Sequence, residues 1–173
     1  MKNTTVFTLT LFLSLFVISS GSAQSLVQNK ETTKKILAAV DAGDLVAFSK
    51  YVSPAVVEHM PFPPNMPAGS DFEKSKALIA GFHAGFPDAK TTIVNMVAEG
   101  DLVIVQSVWT GTNTGSFMGA PATGKPVKID QVDIIRYDNT GKGVEHWAVL
   151  DQLGMMQQLG MMELLGAMPG GGN

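Results

Sequence analysis

The sequence predicts an α+β domain in which N-terminal helices pack on the concave face of a curved antiparallel sheet. Segments with a helical spacing of apolar residues occupy the first half of the chain, and segments with β-strand alternation occupy the second half. One further helical segment is inserted after the first strand. Helices collected before a run of strands are typical of this fold class. The 173 residues are enough for one domain with a hydrophobic core.

Residues 1–23 are predicted to be a secretory signal peptide. Lys2 supplies a positive charge, and the apolar run Val6–Ile18 is 13 residues long, too short for a transmembrane helix. The small residues Gly21-Ser22-Ala23 favour cleavage after Ala23. The alternative is a retained N-terminal anchor. We expect a secreted or periplasmic protein without membrane association after cleavage.

The rest of the chain is predicted to form one domain, residues 24–165, followed by a flexible Gly-rich tail, residues 166–173. The absence of cysteine excludes disulfides and thiolate metal sites. The net charge is −3 and Arg136 is the single arginine, so the chain has no basic patch for nucleic-acid binding.

Three segments are predicted as helices: Leu26–Ala42, Leu45–Val52, and a helix from Ser70 to about Gly85. The second helix has Asp44 as a predicted N-cap. Ser70 and Glu73 fit the capping box S-x-x-E at the start of the third. Between the last two helices, the Pro-rich segment Pro61–Gly69 is predicted to be a loop, either a hydrophobic lid or a rigid surface loop.

Five segments are predicted as strands: Ala55–Met60, Thr91–Ala98, Leu102–Thr112, Val127–Tyr137 and Val144–Leu150. The last two form a hairpin, because the turn Asp138–Gly143 contains Asn and Gly, which tolerate positive φ.

The segment Asp151–Met168 repeats the sequence LGMM and is predicted to continue as a helix. Its expected apolar stripe is Leu153, Met156, Gly160 and Leu164. One interpretation is that the methionines are adaptable packing residues, which contact an edge of the sheet or a second subunit. The alternative is that they are soft ligands for Cu(I).

Polar residues on the predicted hairpin indicate a pocket with acid–base groups. Strand alternation places Gln131 and Asp133 on one face, and it places His146 on the same face as Ala148 of the next strand. If these two faces coincide, proton-handling groups meet among apolar neighbours. The alternative is a polar core that is merely tolerated.

Four further residues are candidates for ligand contacts. Glu58 and His59 end the first predicted strand beside the Pro-rich loop, where one of them should face the pocket, with His59 favoured. Trp109 and Trp147 serve either as core residues or as platforms for a ligand. The helical His83 shows no pattern that indicates a role.

Several segments together resemble the SnoaL-like polyketide cyclase (ester cyclase) family of the nuclear-transport-factor-like superfamily. They are GTNTGSFMGAPATGKPV at Gly111–Val127, then VDIIRY and VEHW, and the closing QQLG at Gln157–Gly160. The resemblance implies a cone-shaped curved antiparallel sheet wrapped round helices. It also implies a pocket for a small organic carbonyl compound without cofactor or metal, and a possible homodimer.

The resemblance also suggests where catalysis would lie. The aspartate that serves as general acid/base in the founding cyclases corresponds to Ala148, their histidine on the preceding strand to Asp133, and a neighbouring glutamine to Gln131. Because burial in an apolar pocket raises the pKa of a carboxyl group, we hypothesise that Asp133 has taken over the acid/base role, with His146, His59 or Gln131 as hydrogen-bond donor. The reaction would be an aldol-type cyclisation or an isomerisation. The alternative is a non-catalytic ligand-binding module of the same fold.

Overall fold

The computed structural model of the protein describes residues 20–63 and 66–162, which form four helices and one five-stranded sheet. In chain order the elements are α1 (Ser20–Asp41), α2 (Leu45–Tyr51), β1 (Val52–Glu58), α3 (Asp71–Gly85), β2 (Lys90–Glu99), β3 (Leu102–Thr112), β4 (Pro126–Tyr137), β5 (Gly143–Leu150) and α4 (Gln152–Leu159). Residues 1–19 of the predicted signal peptide and the predicted tail lie outside the described residues.

The sheet is curved and has the strand order β1-β5-β4-β3-β2. The predicted α+β class is confirmed, and β2 to β5 pair antiparallel as expected. The edge strand β1 differs, because it pairs with β5 in parallel. No hairpin connects these two strands, so the chain between them allows either parallel or antiparallel pairing of β1 with β5. Pro54 in β1 is tolerated because β1 is an edge strand.

The predicted caps are present and explain where two helices begin. The carboxylate of Asp44 accepts hydrogen bonds from the backbone N–H groups of Val46 (3.1 Å) and Ala47 (2.9 Å) at the start of α2. The hydroxyl of Ser70 accepts from Glu73 N at 3.3 Å at the start of α3. Both contacts satisfy donors that a helix N-terminus leaves free.

Two apolar clusters occupy the concave face of the sheet, one at each end. The first joins α1, α2 and α3 to the inner side chains of β3 and β4 and includes Phe48, Phe72, Val105 and Ile135. The second surrounds Phe86, Trp109 and Phe117 at the other end. The concave face is therefore covered by helices, as predicted, and the space between the clusters is available for a site.

The predicted apolar stripe of α4 is confirmed at Met156 but wrong at Leu153 and Gly160, which are exposed, and its fourth member Leu164 lies outside the described residues. Leu153 is 53% exposed, whereas Met155, Met156 and Leu159 are buried in the second cluster. The helix starts at its N-cap Asp151 and ends at Gly160, whose φ of 75° is typical of a glycine C-cap. Packing against Phe86 and Trp109 determines which face of the helix is buried, and Met161 lies in the same cluster. The buried methionines serve as packing, as the first interpretation of the repeat had it.

The described parts of the Pro-rich segment, residues 61–63 and 66–69, contain neither helix nor strand, so the predicted loop is confirmed there. Within residues 20–63 and 66–162, none of the helices combines the length and apolar character needed to span a membrane.

Candidate acid–base site

A cavity of about 200 Å³ lies between the concave face of the sheet and helices α1 to α3. Its walls are mostly apolar and include Ile36, Phe48, Ile79, Trp109, Ile129 and Ile135. Polar residues border it on the sheet side, among them Glu58, Gln131, Asp133 and His146. An apolar cavity with a few convergent polar groups is the usual form of a small-molecule site.

Three ionisable side chains form a polar cluster in this cavity, namely Glu58, Asp133 and His146. Nδ1 of His146 lies 2.7 Å from a carboxylate oxygen of Glu58, and its Nε2 lies 3.3 Å from a carboxylate oxygen of Asp133. The imidazole thus lies between two carboxylates. The carboxylate side chains are only 7% and 12% exposed, so they are held largely away from bulk water.

The sheet register explains why these residues meet. Glu58 is the parallel neighbour of His146, and Ile135 is its antiparallel neighbour. Asp133 lies two residues before Ile135 on the same face of β4. It is therefore a diagonal neighbour of His146, close enough for a long side chain to reach. Asp133 itself is directly opposite Ala148, whose small side chain leaves room for the imidazole beside it.

Further hydrogen bonds orient both carboxylates. Gln131 Nε2 donates to Asp133 at 3.2 Å, and the backbone N–H of Met60 donates to Glu58 at 3.0 Å. Each carboxylate therefore has one oxygen on the imidazole and the other on a second donor. Such support fixes the direction in which a reactive group points.

The surroundings of His146 favour its charged form. Burial alone would lower the pKa of His146, but hydrogen bonds to Asp133 and Glu58, together with their negative charges, raise it to about 9. At neutral pH the cluster then consists of one imidazolium between two carboxylates. In this state His146 donates from both nitrogens and cannot act as a general base, whereas Asp133 can accept a proton.

Five of the predicted site residues border the cavity: Glu58, Trp109, Gln131, Asp133 and His146. The expectation that His59 rather than Glu58 faces inward is wrong. Glu58 shares the inner face of β1 with Val56 because strand residues alternate, which leaves His59 on the outer side.

His59 and Trp147 meet on that outer side. Their rings stack with centroids 4.2 Å apart, and His59 Nε2 lies 2.9 Å from Glu145. The structure therefore does not bring His59 or Trp147 to the cavity, contrary to the ligand contacts expected for both. Trp147 faces outward because it follows the inward-facing His146 in β5.

Sequence reasoning missed two residues near the site. His83 of α3 borders the cavity, and its Nδ1 lies 3.3 Å from the backbone oxygen of Asp41. Ser107 of β3 lies on the inner face between Val105 and Trp109 and is fully buried. Alternation along β3 signals that Ser107 faces inward, but the helical spacing around His83 gives no comparable signal.

Residues 30–159 match the SnoaL-like polyketide cyclase family, which is most of the chain and includes every residue of the polar cluster. The chain belongs to the SnoaL-like polyketide cyclase family. No curated protein sequence matches it.

Solved structures of similar proteins share the SnoaL-like fold. IdmH, a candidate polyketide cyclase from Streptomyces antibioticus, is 33% identical with a TM-score of 0.66, over 77% of this chain and 99% of IdmH. A candidate SnoaL-like polyketide cyclase from Jannaschia sp. CCS1 is 27% identical with a TM-score of 0.67, over 78% of this chain and 92% of its own. AclR, a candidate hydroxylase from Streptomyces galilaeus, is 29% identical with a TM-score of 0.67, over 78% and 82% of the two chains.

IdmH is a candidate cyclase and AclR a candidate hydroxylase, although both have the same fold. The reaction therefore has to be argued from the side chains of this cavity rather than from the fold. Among the residues that the structure describes, no group of three or more His, Cys, Asp or Glu side chains is arranged to hold a metal ion.

Proposed function

We propose that this SnoaL-like protein binds a small organic carbonyl compound in its cavity and moves a proton at the carbon next to the carbonyl. This proton transfer is the first step of an aldol-type cyclisation or an isomerisation. The observation that carries the proposal is the contact between Asp133 and His146 in a mostly apolar cavity. A proton acceptor and a charged donor are then available to the same ligand without a cofactor.

The proposed step assigns a different role to each member of the polar cluster. The Asp133 carboxylate takes the proton from the α-carbon. The electron pair of the broken C–H bond forms a C=C bond to the carbonyl carbon, and the π electron pair of the carbonyl moves onto its oxygen. The resulting enolate oxygen accepts a hydrogen bond from His146 Nε2–H. Asp133 then returns the proton, either to the ligand at another atom or to the same carbon. Catalysis of this kind needs a base near the C–H bond and a donor near the oxygen.

The two distances around His146 support this assignment. The contact with Glu58 is 2.7 Å, as expected for a charge-assisted hydrogen bond, whereas the contact with Asp133 is longer, at 3.3 Å. The Nε2 proton is thus the one held less tightly and more readily shared with a ligand oxygen. Glu58 acts as a positioning residue, because it orients the imidazole and stabilises its charge.

The competing proposal is a non-catalytic binding module that uses the same cavity. It is favoured by Ala148, which by the resemblance to the founding cyclases corresponds to their catalytic aspartate. In this alternative the polar cluster only orients a ligand, and no C–H bond is broken.

Exchange of hydrogen for deuterium separates the two proposals. The protein is incubated with 2-acetylnaphthalene, an uncharged aryl methyl ketone, in D₂O, and loss of the methyl signal is followed by proton NMR. We expect exchange faster than in buffer at the same pH, because enolisation releases a methyl hydrogen to solvent. Binding detected by calorimetry without faster exchange would favour the binding module. Absence of both would contradict the proposed ketone site.

We further propose that the protein is exported and forms a homodimer. Export rests on the charged and apolar pattern of residues 1–23. The proposed dimer is inferred from the outer face of the sheet, where apolar side chains of β2, β3 and β5 remain exposed: Val97 at 57%, Ile104 at 38% and Val149 at 74%. Ile134 of the intervening strand β4 is half-buried on the same face. Contiguous exposed apolar surface of this kind is typical of an interface, and a second copy offers the same face about a twofold axis.

Val149→Lys is expected to convert the dimer to monomer, because it places a charge within the apolar interface. Val46→Lys is the matched control, since Val46 is 71% exposed but lies on α2, away from the sheet face. Sedimentation equilibrium at tens of micromolar protein gives the mass of each variant. A monomeric parent protein, or a Val149→Lys variant that remains dimeric, would contradict this interface.

A further inference from the structure

Ser107 is a buried hydroxyl without a partner next to the proposed site. Its exposed fraction is 0%, and its Oγ makes no hydrogen bond within the described part of the chain. The other inner side chains of β3 around it are Val105 and Trp109, which offer no acceptor. A buried hydroxyl without a hydrogen bond destabilises a fold, so its presence calls for a physical explanation.

The residue directly opposite Ser107 in the sheet is Gln131. The Nε2 of Gln131 donates to Asp133, and among the described residues no donor is bonded to its Oε1. Directly opposed side chains of an antiparallel pair have Cβ atoms about 5 Å apart. Rotation of one side chain is therefore enough to bring the hydroxyl of Ser107 to the free amide oxygen of Gln131.

We propose that Ser107 is a positioning residue of the ligand site, whose hydroxyl donates to Gln131 Oε1 when a ligand occupies the cavity. This inference rests on the proposed function, because it requires a ligand that contacts Gln131 and Asp133. The bond holds the amide so that its N–H groups face Asp133 and the ligand. A continuous polar path then crosses four strands, from Ser107 through Gln131 and Asp133 to His146 and Glu58.

The inference predicts opposite effects of one substitution on stability and on binding. Ser107→Ala removes an unpaired buried hydroxyl, so the Tm of the ligand-free protein should stay unchanged or rise by a few degrees. The same variant loses the bond that orients Gln131 in the complex. Its Kd for 2-acetylnaphthalene should therefore increase roughly fivefold to tenfold, the effect of one hydrogen bond. If Ser107 had a purely structural role, Ser107→Ala would lower the Tm, and the Kd would rise with the loss of stability or stay unchanged.

Two companion variants test whether Ser107 acts through Gln131. Ser107→Thr keeps the hydroxyl and suits a strand, so its Kd should remain within about twofold of the parent value. In a Gln131→Leu background, Ser107→Ala should have no further effect on the Kd, because the partner of the hydroxyl is already missing. Calorimetric titrations of the parent protein, the three single variants and the double variant complete the cycle.

Four results would overturn the inference. A fall in Tm of more than about 4 °C in Ser107→Ala would show that the hydroxyl is already bonded, for example to an internal water. An unchanged Kd in Ser107→Ala, or an undiminished effect in the Gln131→Leu background, would remove the positioning role while leaving the proposed function intact. Failure of the parent protein to bind the ketone would refute the proposed function and this inference with it.

Discussion

Asp133→Asn is expected to slow deuterium exchange into 2-acetylnaphthalene by about 100-fold or more, the usual contribution of a general base. The asparagine side chain has nearly the same shape as aspartate and can still accept a hydrogen bond from His146. It cannot take a proton from carbon. The exchange rate is measured by proton NMR at several ketone concentrations, so that the change in kcat is separated from any change in binding.

Asp130→Asn is the matched control for this experiment. Asp130 is on the same strand three residues earlier, but it is exposed and points away from the cavity. Its replacement should leave the exchange rate unchanged. Exchange by Asp133→Asn at the parental rate would remove Asp133 as the base and would leave the polar cluster a structural role.

The free energy of unfolding should fall by roughly 3 kcal/mol as the pH rises from about 6 to 9.5, because of His146 alone. The folded protein raises the pKa of His146 from 6.5 to about 9, so the folded state binds this proton more tightly than the unfolded chain. The stabilisation is complete below pH 6.5. It is lost between pH 6.5 and 9, where the unfolded chain has released the proton and the folded protein still holds it.

Urea unfolding of matched variants at several pH values isolates this contribution. His146→Gln should lack the pH dependence, whereas His59→Gln should retain it, because His59 lies outside the cavity against Glu145 and Trp147. Equal pH dependence in both variants would mean that another group is responsible. The His146→Gln protein should also be less stable at pH 6, since its two buried carboxylates lose their cation.

The sequence predicted most of the sheet side of the site because local rules determine it. Alternation places Gln131 and Asp133 on one face of β4, and the short turn after Tyr137 brings β5 and His146 alongside. Both statements depend only on strand periodicity and turn chemistry, which are properties of neighbouring residues.

Features that depend on distant parts of the chain could not be predicted in this way. Whether Glu58 or His59 faces inward depends on the parallel pairing of β1 with β5. These two strands are neighbours in the sheet but are far apart in the sequence. The face of α4 that is buried depends on its packing against Phe86, Trp109 and Phe117, which are distant in sequence. The missing partner of Ser107 becomes visible only once Gln131 is placed opposite it and bonded to Asp133.

The protonation state of His146 is the most direct test of this account, because the proposed proton transfer depends on an imidazolium held between Asp133 and Glu58. Protein labelled with ¹⁵N-histidine and assigned with the His146→Gln variant allows both ring nitrogens to be followed by NMR from pH 6 to 10. We predict that both nitrogens carry protons at pH 7.5 and titrate together near pH 9. A neutral imidazole at pH 7.5, with one unprotonated nitrogen, would contradict the account.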